Sequence, residues 1–250
     1  MRRSLTILVT VLGLVSLVAC GDDGAAGSGG SAGGGPAWCD AVADPDPTDA
    51  QLASVPATHR DAVDLVLFVR EFSGRSAGDD SRSDDDRPDA ELARAMAGGR
   101  DALTLLDEEI VRTCGKDAPA RTGVADALRV AEIAGADRSD LYCDALDEAV
   151  ATESDAIGPT LFAPAAALGS LVPEAHRPVI GQLASGDGAA IQALDREEQI
   201  RFITSLVGVG MYADARCGIR LGSGRILVNA TLAMGGSFPD LSATTTTAAP

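Results

Sequence analysis

Imidazole and thiol are the two side-chain types scarce enough in this chain for position to carry meaning: His59 and His176 are its only histidines, and Cys20, Cys39, Cys114, Cys143 and Cys217 its only cysteines. A nucleophile-and-base mechanism would have to draw its imidazole from that pair. Both histidines fall in one echoed motif, Val55-Pro56-Ala57-Thr58-His59-Arg60 and Val172-Pro173-Glu174-Ala175-His176-Arg177. Were the two copies to pack face to face, the imidazoles could share a metal with Asp61 or Glu174. The plainer reading is preferred, that each is a packing or capping residue in the first turns of a helix. No His-Glu-x-x-His zinc motif accompanies them. His59 and His176 are therefore kept as a candidate site, while no catalytic residue, metal or cofactor is assigned.

Carboxylates are too abundant to single out a pair, at 37 Asp and Glu against 20 Lys and Arg. The runs Asp44-Pro45-Asp46-Pro47-Thr48-Asp49 and Asp79-Asp80-Ser81-Arg82-Ser83-Asp84-Asp85-Asp86 invite a calcium reading. Neither fits an EF-hand loop, and the second interleaves arginines with its acids, so a solvated acidic loop is the better account. A formal charge of −17 argues against a nucleic-acid partner. No glycine-rich loop follows a strand, which leaves nucleotide cofactors without support.

With Cys20 set aside, four cysteines remain, and three pairings are possible. Trp38-Cys39-Asp40-Ala41-Val42 is echoed by Tyr142-Cys143-Asp144-Ala145-Leu146, and Thr113-Cys114-Gly115 by Arg216-Cys217-Gly218. Together with the histidine motif, three echoes in the same order argue for an internal duplication. The duplication favours Cys39 with Cys114 and Cys143 with Cys217, each bond joining the start of a repeat to its end. A four-cysteine metal site is the competing reading, but no pair has the close spacing zinc sites show.

The elements that must position these residues read as helices. Thr48 and Gln51 match a capping box, Pro56 stands before a helical run to Phe72, and Gly74 is placed to stop it. Another helix begins near Pro88 and carries Leu92 and Met96. From Asp101, the residues Leu103, Leu106, Ile110 and Cys114 recur at helical spacing, with Gly115 free to end the helix. In the second copy Asp195 caps a run from Arg196 to Arg216, where Gly208 and Gly210 either weaken the helix or permit close contact with another. Pro178 would kink its helix or mark its true start. Val124, Leu128, Ala131 and Ile133 suggest one helix between the copies, and Ser139 is placed to cap the helix holding Cys143. Residues 225–232 could form a short strand or an ordered tail. The fold expected is mainly α: two tandem homologous helical modules, each closed by a disulfide, with at most one short C-terminal strand.

The N-terminus places this body. Met1-Arg2-Arg3 precedes an apolar run of secretory length that ends Leu17-Val18-Ala19-Cys20-Gly21. That ending resembles the bacterial lipobox, which implies that residues 1–19 are a lipoprotein signal peptide and that Cys20 is diacylated and becomes the mature N-terminus. Two acyl chains anchor stably where one would be marginal. Residues 20–37 then read as a Gly/Ser-rich tether, spanning on the order of 20 to 25 Å. Residues 38–115 form the first repeat, with an acidic loop at 74–90, residues 116–138 a partly helical linker, and residues 139–218 the second repeat. Residues 219–250 are a C-terminal extension with a disordered Thr/Ala tail. At the level of Trp-Cys-Asp and Cys-Gly, each half resembles the small helical, disulfide-closed modules of uncharacterised actinobacterial lipoproteins, over residues 38–115 and 142–218.

These readings lead to a protein lipid-anchored in the cell membrane and facing outward, a non-catalytic binding or interaction module with an envelope protein as partner. Two other classes remain: a small-ligand-binding lipoprotein associated with a transporter, and a histidine-dependent hydrolase.

Overall fold

Helix signals in the sequence become helix ends in the computed structural model, which describes residues 36–74, 90–152, 161–220 and 222–233. The predicted signal peptide, Cys20, most of the tether, the acidic loop over 75–89 and the Thr/Ala tail lie outside those residues. After α1 (Ala37–Ala43) comes α2 (Asp49–Ala53), opened by the expected capping box. Gln51 N–H donates to Thr48 Oγ1 at 3.3 Å, and Thr48 N–H to Gln51 Oε1 at 2.7 Å. Following are α3 (Arg60–Gly74), α4 (Ala90–Gly98), α5 (Arg100–Thr113), α6 (Ala120–Ala134) and α7 (Asp140–Ala151). Then come α8 (Ala163–Ala167), α9 (Arg177–Ser185), α10 (Gly188–Gln192), α11 (Arg196–Tyr212) and α12 (Gly222–Ala233). The described residues contain these twelve α-helices and no strand, so the fold is mainly α.

Residues 116–138 carry the helix at the centre. α6 packs against α11 more extensively than any other pair of helices pack, and it also touches α1, α3, α4 and α5. Its length of 15 residues exposes enough circumference for this because the buried positions are small. Gly123, Val124, Ala127, Val130, Ala131 and Ala134 bring the backbone close to its neighbours. Gly208 on α11 shows how close: a Cβ there would lie 2.7 Å from Ile133 Cβ, so the glycine does permit the helix contact. One continuous hydrophobic cluster runs from Trp38 to Ala230 and includes both copies of the echoed segments.

The two disulfides are Cys39–Cys114 and Cys143–Cys217, the pairing favoured by the echoes, with Cα atoms 5.9 and 5.3 Å apart. Leu103, Leu106 and Ile110 form the buried stripe of α5, and Cys114 continues it into the C-cap. Gly115 follows at φ 98°. In the second half α11, capped by Asp195 as expected and by Glu198 in return, runs into one π-helical turn, Ala213–Cys217, which Gly218 ends at φ 70°. Pro178 lies in the first turn of α9, where its missing N–H costs no helical bond, and so marks a start rather than a kink.

Two local expectations are corrected. Residues 225–232 belong to α12: Ile226, Leu227 and Ala230 are buried while Val228 is half exposed, a helical spacing that alternation cannot produce. The β-branched residues gave the stretch a strand-like composition, and packing against α7 and α11 decides otherwise. Ser139 does occupy the N-cap of α7, but its side chain makes no capping bond; its backbone N–H donates instead to Tyr212 Oη at 3.1 Å.

Candidate functional site

The echoed histidine motifs fold alike up to the histidine itself. In each, a buried valine, Val55 or Val172, precedes a proline of extended conformation, Pro56 (φ −53°, ψ 135°) or Pro173 (φ −51°, ψ 138°). A short 3-10 turn follows, closed in both by the histidine N–H donating to the proline carbonyl at 2.9 Å. The next arginine reaches back to the valine carbonyl, Arg60 Nε at 3.4 Å and Arg177 Nε at 3.0 Å. Each motif therefore satisfies the carbonyl left free where the chain turns into α3 or α9.

The imidazoles then part company. His59 is half-buried, at the surface end of its turn. His176 is completely buried, and its ring is held from both sides. The Ile133 carbonyl lies 2.8 Å from Nε2, and because a carbonyl only accepts, Nε2 carries the proton. Nδ1 is then the acceptor for Tyr142 Oη at 3.1 Å. Tyr212 stacks edge-on against the imidazole, with centroids 4.6 Å apart, and donates its own hydroxyl to the Asp137 carbonyl at 3.1 Å. Burial drives the His176 pKa down to about 4, only partly opposed by the Ile133 carbonyl, and burial pushes the Tyr142 phenol well above its usual range. His176 is thus neutral at ordinary pH with neither nitrogen left to accept a proton or a metal.

The consequence is mechanical. α6, α7, α9 and α11 are tied together through Ile133, Tyr142, His176 and Tyr212, four residues that meet at the start of α9. Tyr142 and Tyr212 were not among the residues singled out from sequence. The available signal was the Trp38/Tyr142 echo beside paired cysteines, which marks a position without revealing its hydroxyl's partner.

Against the outer side of this junction lies an open cleft of about 570 Å³. Ala125, Leu128, Arg129, Glu132 and Ile133 of α6 form its floor, at the three-and-four spacing of one helix face. Arg100 and Thr104 on α5 make one wall, Ala175 and Pro178 the other, and Ser205 of α11 also contributes. His176 thereby anchors one wall to the floor, since its neighbour Ala175 and its hydrogen-bond partner Ile133 both line the space. Arg100, Arg129 and Glu132 are exposed and form no ion pair with a described residue.

The remaining predicted residues are placed as follows. Cys39, Cys114, Cys143 and Cys217 are all consumed in disulfides, while Cys20 lies outside the described residues. Asp61 and Glu174 are exposed. Among the described residues no group of three His, Cys, Asp or Glu side chains is arranged to hold a metal ion. Asp44, from the first acidic run, organises its own turn: Oδ1 accepts from Asp46 N–H at 3.0 Å and Oδ2 from Gln51 Nε2 at 3.2 Å. Those bonds, the Asp46 N–H foremost, hold its pKa below the usual carboxylate value. The second acidic run lies outside the described residues. No described helix is long and apolar enough to cross a membrane. Comparison with models of known families, with curated proteins and with solved structures returns no match to this chain.

Proposed function

We propose that the chain is a lipid-anchored protein of the outer face of the cell membrane whose helical body is a binding module rather than a catalyst. The observation that carries this reading is the state of the groups that would otherwise do chemistry. Four cysteines are closed in two long-range disulfides, which persist in oxidising compartments, and His176 has both nitrogens engaged by the protein itself. The lipobox resemblance at Cys20 supplies the anchor, and the partner under this reading is an envelope protein.

The test is cross-linking on intact cells, native chain against Cys20→Ser, with identification of what co-purifies. A reproducible partner captured only by the anchored form is expected. Recovery of the chain alone would count against a protein partner. A second reading, a lipoprotein that binds a small ligand beside a transporter, draws on one specific observation: a cleft of about 570 Å³ with charged residues at its edge.

A further inference from the structure

The chain carries 17 more acids than bases, yet two guanidiniums, Arg100 and Arg129, open on the same cleft without an ion-pair partner among the described residues. They come from two different helices, and Arg129 also acts on Asp126, three residues back on α6, whose carboxyl it pulls down against the effect of burial. Glu132 joins them from α6, three residues beyond Arg129 and on the same face, again without an ion pair to a described residue. Between these charges the floor is apolar, with Ala125 and Leu128 exposing methyl groups to the space and Pro178 facing them from the wall.

We propose that this cleft binds a free α-amino acid with a small aliphatic side chain. The inference rests on the small-ligand form of the binding reading and names its ligand class. A carboxylate fits the arginines, whose forked donors suit it well. An ammonium fits Glu132. The two charges of an amino acid stand on one carbon, as the arginines and Glu132 stand on one cleft, and the aliphatic group has the floor to cover. Charge also selects against the alternatives. A phosphate or an acidic peptide would meet both Glu132 and the field of a chain of net charge −17. A simple cation would meet the two arginines. A zwitterion has no net charge to be repelled. The volume lies within the range of about 300 to 1,000 Å³ usual for small-ligand sites, and is generous enough to admit water beside so small a molecule.

His176 has a positioning role here. Its bond to the Ile133 carbonyl fixes the Ala175–Pro178 wall on the floor, so the cleft keeps its width without ligand.

The experiment is isothermal titration calorimetry on the membrane-extracted full chain with L-valine, and with its two half-ligands, isovalerate and isobutylamine. Saturable binding of L-valine is expected, with each half-ligand weaker by about tenfold or more, because each lacks one charge-assisted contact. Arg129→Ala and Glu132→Gln, both exposed and safe for the fold, should each weaken L-valine about tenfold. Arg100→Gln supplies an independent test should either variant fail to fold. Isovalerate binding as tightly as L-valine would overturn the zwitterion proposal. No binding of L-alanine, L-valine or L-leucine by chain with both disulfides intact would overturn it too. If that second outcome accompanies an anchor-dependent partner on cells, the amino-acid inference falls and the binding-module reading stands; if no partner is captured either, both fall.

Discussion

The two Val-Pro-x-x-His-Arg turns share a backbone and differ in what their histidines do. Pro56 and Pro173 hold nearly identical angles, Arg60 and Arg177 close the same contact, and Val55 and Val172 are equally buried. At His59 the motif ends at the surface; at His176 it ends in a sealed junction of two tyrosines and a main-chain carbonyl. The aromatic before the second cysteine, Tyr142, supplies the hydroxyl that meets His176. A repeated motif therefore encodes the helix entry, and the surroundings decide whether its histidine becomes a structural hub.

The largest effects should be shared by the two halves. The disulfides span 75 and 74 residues, so the chain-entropy model gives each about 4 to 5 kcal/mol. Replacing Cys39 and Cys114 by serine, or Cys143 and Cys217, should lower the unfolding free energy by similar amounts in urea titrations. A clear inequality would show that strain or residual unfolded-state structure, not loop length, sets their value.

The histidines should separate sharply. His176→Ala removes a buried ring and leaves the Tyr142 hydroxyl without its acceptor, while the Ile133 carbonyl keeps the Ala136 N–H at 3.3 Å, a loss of about 3 kcal/mol. His59→Ala should cost less than about 1 kcal/mol, as for a half-buried side chain with no hydrogen bond to a described residue. Equal losses in the two variants, read from urea midpoints, would erase the distinction between hub and surface turn.

Much of this architecture could be read directly from residue types. The cysteine pairing followed from the echoes around Cys39, Cys114, Cys143 and Cys217, and the caps at Thr48 and Asp195 from short-range hydrogen-bond chemistry that needs no tertiary context. α12 was not legible as a helix, because Ile226, Val228 and Thr231 favour extended backbone locally and only burial against other helices reveals the helical period. The central place of α6 was hidden for a different reason. Val124, Ala131 and Ile133 showed a helix there, but a buried face of Val, Ile, Ala and Gly does not say which helices it will meet. The candidate site was legible in part: His176 stood out, whereas its partners Tyr142, Tyr212 and Ile133 come from three other helices or their ends. The cleft beside it depends on how α5, α6 and α9 meet, which no local pattern records.

Acid should weaken the fold at the His176 junction. His176 has a folded pKa of about 4 against 6.5 for a free imidazole, so between those values the unfolded chain binds a proton that the folded chain does not. Stability must then fall as pH drops from about 6.5 to about 4, by up to roughly 3 kcal/mol. Burial raises the carboxyls of Asp64 and Asp126, and their protonation works in the opposite direction. Comparison with His176→Gln cancels those carboxyls, since both proteins carry them. The native chain should lose stability relative to the variant across that window, and parallel urea midpoints at pH 7 and pH 4.5 would sink the assignment.

The smallest effect tests the helices that the two turns open. Gly181 of α9 stands five residues beyond its motif's histidine, where α3 has Asp64. A Cβ at Gly181 would meet no atom within 4 Å, and the site is an exposed helix interior. Gly181→Ala should therefore stabilise the protein by about 0.5 to 1 kcal/mol through the unfolded state alone. Gly208→Ala provides the contrast, because its Cβ would fall 2.7 Å from Ile133 Cβ and force α11 away from α6. A rise in thermal midpoint for the first and a fall for the second would show that α9 tolerates added bulk on its outer face while the α6–α11 seam beneath the cleft floor does not. Destabilisation by Gly181→Ala would instead mean that α9 has a neighbour on that face, and would sink the reading of it as an open helix surface.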